Sequence, residues 1–228
     1  MKMMDYQTPD DTIIRLRSRL LNWGGENPRA YPWRYSRDPY IVLVSEFMLH
    51  RTQNRQVEPI FLSFTGLYPT LADYARATKE DLESLLQPLG LRWRITGMLN
   101  ALDILWERYG EVPVDYEKLI AIHGIGQYIA GATVCFTTNR PFTIVDSNIV
   151  RVIGRIFGLD LSGEVRRKKP MIQAIANTCD PLHPRDFYYA LIDLAHQICR
   201  PKHPSCQDCP LLEVPCKIGK LNLENASL

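Results

Sequence analysis

The 228-residue sequence has no long hydrophobic run. Its longest apolar stretches, such as Tyr40–Val44, fall far short of the ~18 residues a membrane-spanning helix needs. It has no excess charge of one sign either. The 27 Lys and Arg stand against 25 Asp and Glu, a net +2, which excludes a histone-like basic tail and an acidic solvating protein. A local basic patch suffices for nucleic acid, so that class stays open. The opening residues Met1-Lys2-Met3-Met4-Asp5 lack the apolar core and small-residue cleavage site of a secretory signal. The expected location is intracellular, the cytoplasm or nucleoid if the source is prokaryotic, with no membrane association. No segment alternates with period two between hairpin turns, and there is no fixed-length repeat or low-complexity tract.

What is present is 46% apolar residues, enough for a packed core, arranged with helical periodicity almost throughout. Asp10-Asp11 precede an amphipathic helix through Leu21. Asp38-Pro39 reads as an N-cap and first-turn proline opening one long helix to about Phe64. Thr78-Lys79-Glu80-Asp81 resembles a capping box, Arg92–Tyr109 is helical, and a short helix over 116–122 leads into Gly124-Ile125-Gly126. Further helices follow over 128–137, from the cap Asp146-Ser147-Asn148 to about Phe157, over 165–178 and over 185–198. The expected fold is all-α, nine or ten helices followed by a cysteine loop.

That loop is C-x6-C-x2-C-x6-C, formed by Cys199, Cys206, Cys209 and Cys216 and laced with Pro201, Pro204, Pro210 and Pro215. Four thiolates this close can wrap one metal centre, and the prolines stiffen the loop that presents them. Two disulfides are disfavoured by an intracellular compartment. Zinc sites usually pair two short knuckles, whereas only one exists here, so the spacing favours a 4Fe-4S cluster with zinc as the competing reading. Cys135 and Cys179 lie on helical faces and read as small buried residues.

Two glycines flanking Ile125 allow a tight turn whose backbone N–H groups point outward at the start of the next helix. Such a nest suits a phosphate oxygen without reading any base. A purely structural helical hairpin would look the same at this level. Val145-Asp146 follows twenty residues after Gly126. On pattern alone Asp146 reads as a helix N-cap, and Glu46 as a carboxylate in an apolar stretch, Ile41 to Leu49. A glutamate flanked in this way is expected to be desolvated, which raises its pKa and helps it hold or donate a proton.

Hairpin, aspartate and cysteine loop occur in the order that resembles the helix-hairpin-helix DNA glycosylase superfamily, in its endonuclease III-like, iron–sulfur-bearing branch. The likeness runs from about Tyr31 to Cys216. It is carried by Pro32-Trp33-Arg34, Asp38-Pro39-Tyr40 through Ser45-Glu46 to Thr52-Gln53, the hairpin, Val145-Asp146-Ser147-Asn148 with Val150-Arg151-Val152, and the cysteine loop. Two departures are the last cysteine gap, six residues rather than five, and His123 where the hairpin usually carries proline. Neither removes a ligand or a backbone donor.

The resemblance implies two helical lobes with a DNA cleft between them. Residues 28–140 would form a six-helix lobe carrying Glu46 and the hairpin, and 1–27 plus 141–228 a cluster lobe carrying Asp146 and the cysteines. It puts Asp146 near the anomeric carbon, where a carboxylate stabilises developing positive charge, and Glu46 against the extruded base. Bifunctional members carry a lysine where this chain has Tyr128. A phenol cannot form a Schiff base, so the implied mechanism is monofunctional hydrolysis that leaves an abasic site.

Leu91 and His50 match inserting positions that fill the hole left by the flipped base. Arg51, Gln53, Arg92 and Arg94 are candidates to grip phosphates or the widowed base, as are Gly124, Gly126 and Gln127 of the hairpin. Arg166-Arg167-Lys168-Lys169 reads as a solvated run, while Arg200, Lys202 and His203 sit in a loop that lies against DNA in relatives. Within the superfamily the sequence is most similar to mismatch-specific thymine/uracil glycosylases acting opposite guanine. Supporting this are the Pro-Trp-Arg and Asp-Pro-Tyr segments, His50-Arg51-Thr52, and an end twelve residues beyond Cys216. Adenine glycosylases acting opposite guanine or its oxidised form are the alternative. A non-catalytic DNA-binding iron–sulfur protein is a second, disfavoured because a pure binder needs neither carboxylate facing anionic DNA. The expected partner is a mismatch-containing duplex, bound by a monomer.

Overall fold

The structure, a computed structural model, describes residues 11–90, 92–165 and 168–219. Among them every regular element is helical. The chain divides into two compact units, Ala30–Asn139 and a second made of Met1–Arg29 with Arg140–Leu228.

In the first unit the central element is α2, Pro39–Leu49, opened by Asp38, whose carboxylate accepts from the N–H groups of Tyr40 and Ile41. Its apolar residues occupy all faces, so it buries on all of them. Tyr40 and the run from Val42 to Met48 are withdrawn from solvent. Against it pack α3 (Asn54–Leu67), α6 (Arg92–Tyr109) and α8 (Gln127–Thr138), while α4 (Leu71–Tyr74) lies on α6, α5 (Lys79–Leu86, capped by Thr78) on α3 and α7 (Tyr116–Ile120) on α8. Leu43, Val44, Phe47 and Met48 join Phe61, Phe64, Leu102 and Ala130 in one core. The expected single helix from Asp38 to Phe64 is not formed. It breaks after Leu49, where His50 turns to ψ 108° and Arg51 to φ +61°. No proline or glycine causes this break. Its partner lies 44 residues away, in Arg94.

In the second unit α1 (Asp11–Glu26) packs on α11 (Pro184–Gln197), and α9 (Ser147–Phe157) lies against α11 and α10 (Lys169–Thr178). Gly24 lets the first pair approach closely, since a Cβ there would fall 2.4 Å from Ala190 Cβ. α9 buries Ile149, Val152, Ile153 and Ile156 on one face and ends at Gly158 in the left-handed conformation. Cys135 and Cys179 are both buried thiols. No helix of the described residues is long and apolar enough to cross a membrane.

Candidate active site, hairpin and cysteine loop

Glu46 sits on the core-facing stretch of α2 and is 4% exposed. α8 packs on α2, and the second residue of α8 is Tyr128. Its phenol donates a 2.8 Å hydrogen bond to Glu46 Oε2. The fold thus brings a buried carboxylate and a phenol together from positions 82 residues apart.

Tyr128 is held by the hairpin before it. Ile122 and Ile125 anchor the turn in the core while His123, Gly124, Gly126 and Gln127 are exposed. Gly124 takes φ +93°, and a Cβ on it would lie 3.0 Å from the Gly97 carbonyl oxygen, so the turn requires glycine on both counts. Gly126 is the N-cap of α8 and brings no capping side chain, leaving first-turn N–H donors at the positive end of a twelve-residue helix.

The corner between α2 and α3 carries three sequence candidates, His50 half-buried and Arg51 and Gln53 exposed. The His50 ring meets Trp93 edge-on at 6.3 Å. Arg94, expected on the surface as a phosphate grip, is instead 3% exposed. Its Nη1 donates to the His50 carbonyl and to Thr52 Oγ1, and its Nη2 to the Leu89 carbonyl. It is a side chain of the interior whose donors are taken by a carbonyl and a hydroxyl at the helix break and by a carbonyl of the Gln87–Leu89 turn. Leu91, and Arg166 and Arg167, lie outside the described residues.

In the other unit Asp146 is the N-cap of α9. Its Oδ1 accepts from Asn148 N at 2.6 Å and Ile149 N at 3.2 Å, while Oδ2 is approached by Ser147 Oγ at 3.4 Å. Both capping N–H groups thus fall on one oxygen of the carboxylate. The segment leading to it is fixed by Tyr188, whose hydroxyl donates to the Phe142 carbonyl and accepts from Ile144 N.

The four loop cysteines Cys199, Cys206, Cys209 and Cys216 line one cavity of about 60 Å³, walled by Ile156, Leu194, Leu211 and Val214 among others. Among the described residues no three His, Cys, Asp or Glu are drawn together as a site for a metal ion. The donor set nevertheless fits an iron–sulfur group: four soft thiols around a shared volume with apolar walls and nearby donors to sulfur. Arg155 Nη1 lies 3.4 Å from Cys199 Sγ and Gly219 N lies 3.4 Å from Cys216 Sγ. Burial pushes the Cys209 thiol up to about 11 and raises Cys216, and the neighbouring loop thiols add to both shifts.

Two arginines of α9, four residues apart on one helix face, clasp this loop, and their roles were not assigned from the sequence. Arg151 donates to the carbonyls of Cys199 and Ala195 and to Asn148 Oδ1. Arg155 donates to the carbonyls of Arg200 and Pro201. Their i, i+4 spacing just beyond a capped N-terminus was the available signal. Arg200, Lys202 and His203 are exposed, His203 with φ +50°.

With this geometry established, the chain belongs to the HhH-GPD superfamily of base excision DNA repair proteins, whose family model matches residues 44–174. It is 31% identical over 211 residues to a thymine/uracil-DNA glycosylase of Pyrobaculum aerophilum, covering 89% of this chain and 90% of that one. It is 30% identical to an adenine DNA glycosylase of Buchnera aphidicola over 88% of this chain and 57% of that one. The fold matches the solved structure of a thermostable thymine-DNA glycosylase with a TM-score of 0.82 at 26% identity, over 92% of this chain and 97% of that one.

Proposed function

We propose that this protein is a monofunctional DNA glycosylase that hydrolyses the N-glycosidic bond of thymine or uracil opposite guanine, acting as a monomer on a mismatched duplex. The observation that carries the reading is the buried Glu46 with the Tyr128 phenol on its Oε2. A carboxylate so placed serves a nucleobase edge, and a phenol beside it supplies no Schiff-base amine. The reading gives the leaving base to Glu46, oriented by Tyr128, and the cationic sugar to Oδ2 of Asp146. The C1′–N1 bond breaks, water adds at C1′ and loses a proton, and the base leaves with a proton gained. The choice of thymine or uracil is supported by the near full-length match to the thymine/uracil enzyme.

The hairpin donors before Gln127 suit a phosphate, and the Arg51 corner suits the strand around the extruded nucleotide. Cys199, Cys206, Cys209 and Cys216 would hold a 4Fe-4S cluster. Bound there, the group supplies a rigid staple for the loop that presents Arg200, Lys202 and His203.

The test is excision from duplexes carrying T, U or A opposite G, and A opposite oxidised G, followed by hot alkali to reveal abasic sites. Alkali-dependent cleavage at T and U opposite G is expected. Preference for A would move the assignment to the adenine enzymes, and no release from any duplex would overturn it.

A further inference from the structure

We propose that Arg94 is a positioning residue, a buried guanidinium that sets the His50–Arg51–Thr52 corner and the Leu89–Gly90 turn as one surface for an unstacked nucleotide. The inference rests on the DNA-glycosylase reading above and adds to it the residue that holds the strand-gripping surface in shape.

Nothing local makes the chain break at residues 50–52, where Leu49-His50-Arg51-Thr52-Gln53 contains neither glycine nor proline. Arg51 nevertheless takes φ +61°, a conformation that crowds any Cβ and persists only where surroundings enforce it. Arg94 enforces it. One guanidinium bonds the carbonyl before Arg51 and the hydroxyl after it, then reaches Leu89, the residue before Gly90 at φ +65°. All three acceptors are neutral oxygens. Burying a cation against neutral acceptors is a costly way to fill space, and an apolar side chain of similar length would pack as well. What an apolar side chain could not supply is a planar fork that fixes two turns at once.

The surface fixed in this way has a definite chemistry. Arg51, Arg55 and Arg92 are exposed, and Trp93 keeps 59% of its surface in solvent while its ring meets His50. Three cations suit phosphates, and an exposed indole against His50 suits the face of a base that has lost its stacking partner. Arg94 itself touches neither. It acts through the corner.

The experiment compares wild type with Arg94→Met, Arg94→Lys and Thr52→Val. Binding is followed by fluorescence anisotropy on two duplexes of equal length, one with a tetrahydrofuran abasic analogue opposite G and one undamaged. Excision from a G·U duplex and thermal melting are measured alongside. Wild type should prefer the abasic duplex. Arg94→Met should cut that preference about tenfold or more while the protein still melts cooperatively. Arg94→Lys should restore part of the preference by reaching the His50 carbonyl, and Thr52→Val should lower it by less than Arg94→Met. If Arg94→Met does not fold, Arg94→Lys and Thr52→Val decide the matter by the same preference. An unchanged preference, or equal losses on both duplexes, would overturn the positioning role while wild-type excision left the glycosylase reading standing. A wild type that neither prefers the abasic duplex nor excises any base would overturn both.

Discussion

Tyr128 donates its phenolic hydrogen to Oε2 of Glu46 across 2.8 Å, joining the start of α8 to the most buried helix of its unit. Removing this donor by Tyr128→Phe should slow base release about tenfold, the worth of one hydrogen bond to a carboxyl group. Glu46→Gln should slow it more, by roughly a hundredfold, because it removes the carboxyl group itself. Single-turnover excision measures both. Neither the wild type nor Tyr128→Phe should be trapped on DNA by borohydride, and a trapped adduct would contradict the hydrolytic mechanism.

Asp146 takes both capping N–H groups on Oδ1, and the reading proposed above gives its Oδ2 to the sugar, so two substitutions separate the roles. Asparagine caps as well as aspartate does, and Asp146→Asn should melt like wild type while losing roughly a hundredfold or more in excision rate. Asp146→Ala should lose the same activity and, in addition, about 1 kcal/mol of stability. Calorimetry beside the excision assay distinguishes the pair.

The cysteine loop yields a prediction that needs no DNA. Native protein should be brown and carry about four iron atoms per chain, and Cys209→Ser should lower both. Arg155→Met removes the grip on the carbonyls of Arg200 and Pro201, so its visible absorbance should fade faster than that of wild type under a chelator. A colourless native protein containing zinc would reverse the assignment.

Alkali should destabilise the fold in a definite window. Burial pushes the Cys179 thiol up to about 11 from an ordinary 9.0, with Asp180 adding to the shift. Burial, likewise the leading cause, raises Tyr40 and Tyr74 well above the usual phenol range. The folded chain holds these protons after the unfolded chain has released them. Their stabilising contribution is complete below pH 9 and is lost as pH rises towards the folded values, about 2 kcal/mol from Cys179 by pH 11. Urea titrations between pH 8 and 11 should follow this decline, and Cys179→Ala should flatten its onset.

Much of this arrangement is legible in the sequence because it is local. The caps at Asp38, Thr78 and Asp146 are short-range devices, each accepting from backbone two or three residues ahead. Glu46 stands out because a carboxylate interrupts an apolar run. The break at His50–Thr52 was illegible because no proline or glycine marks it, and the turn that Thr52 N closes on the Leu49 carbonyl is braced by a guanidinium from α6. The same fact misled the reading of Arg94, since charge in a sequence suggests solvent and says nothing of carbonyls waiting in the interior. The clasp of Arg151 and Arg155 on the cysteine loop likewise spans more than forty residues.

Gly124 meets Gly97 with main chain against main chain, a contact that a side chain on Gly124 would crowd. The turn before α8 is therefore held to bare backbone at Gly124, with His123 and Gln127 as its exposed side chains. A surface of peptide groups presents the same donors whatever bases pass beneath it, which suits a search along DNA of any sequence. Changes of substrate preference among proteins of this build would then fall on the side chains of α2 and its corner, leaving the tracking surface untouched. On the reading proposed above, holding DNA and choosing a base would be separately adjustable properties of one unit.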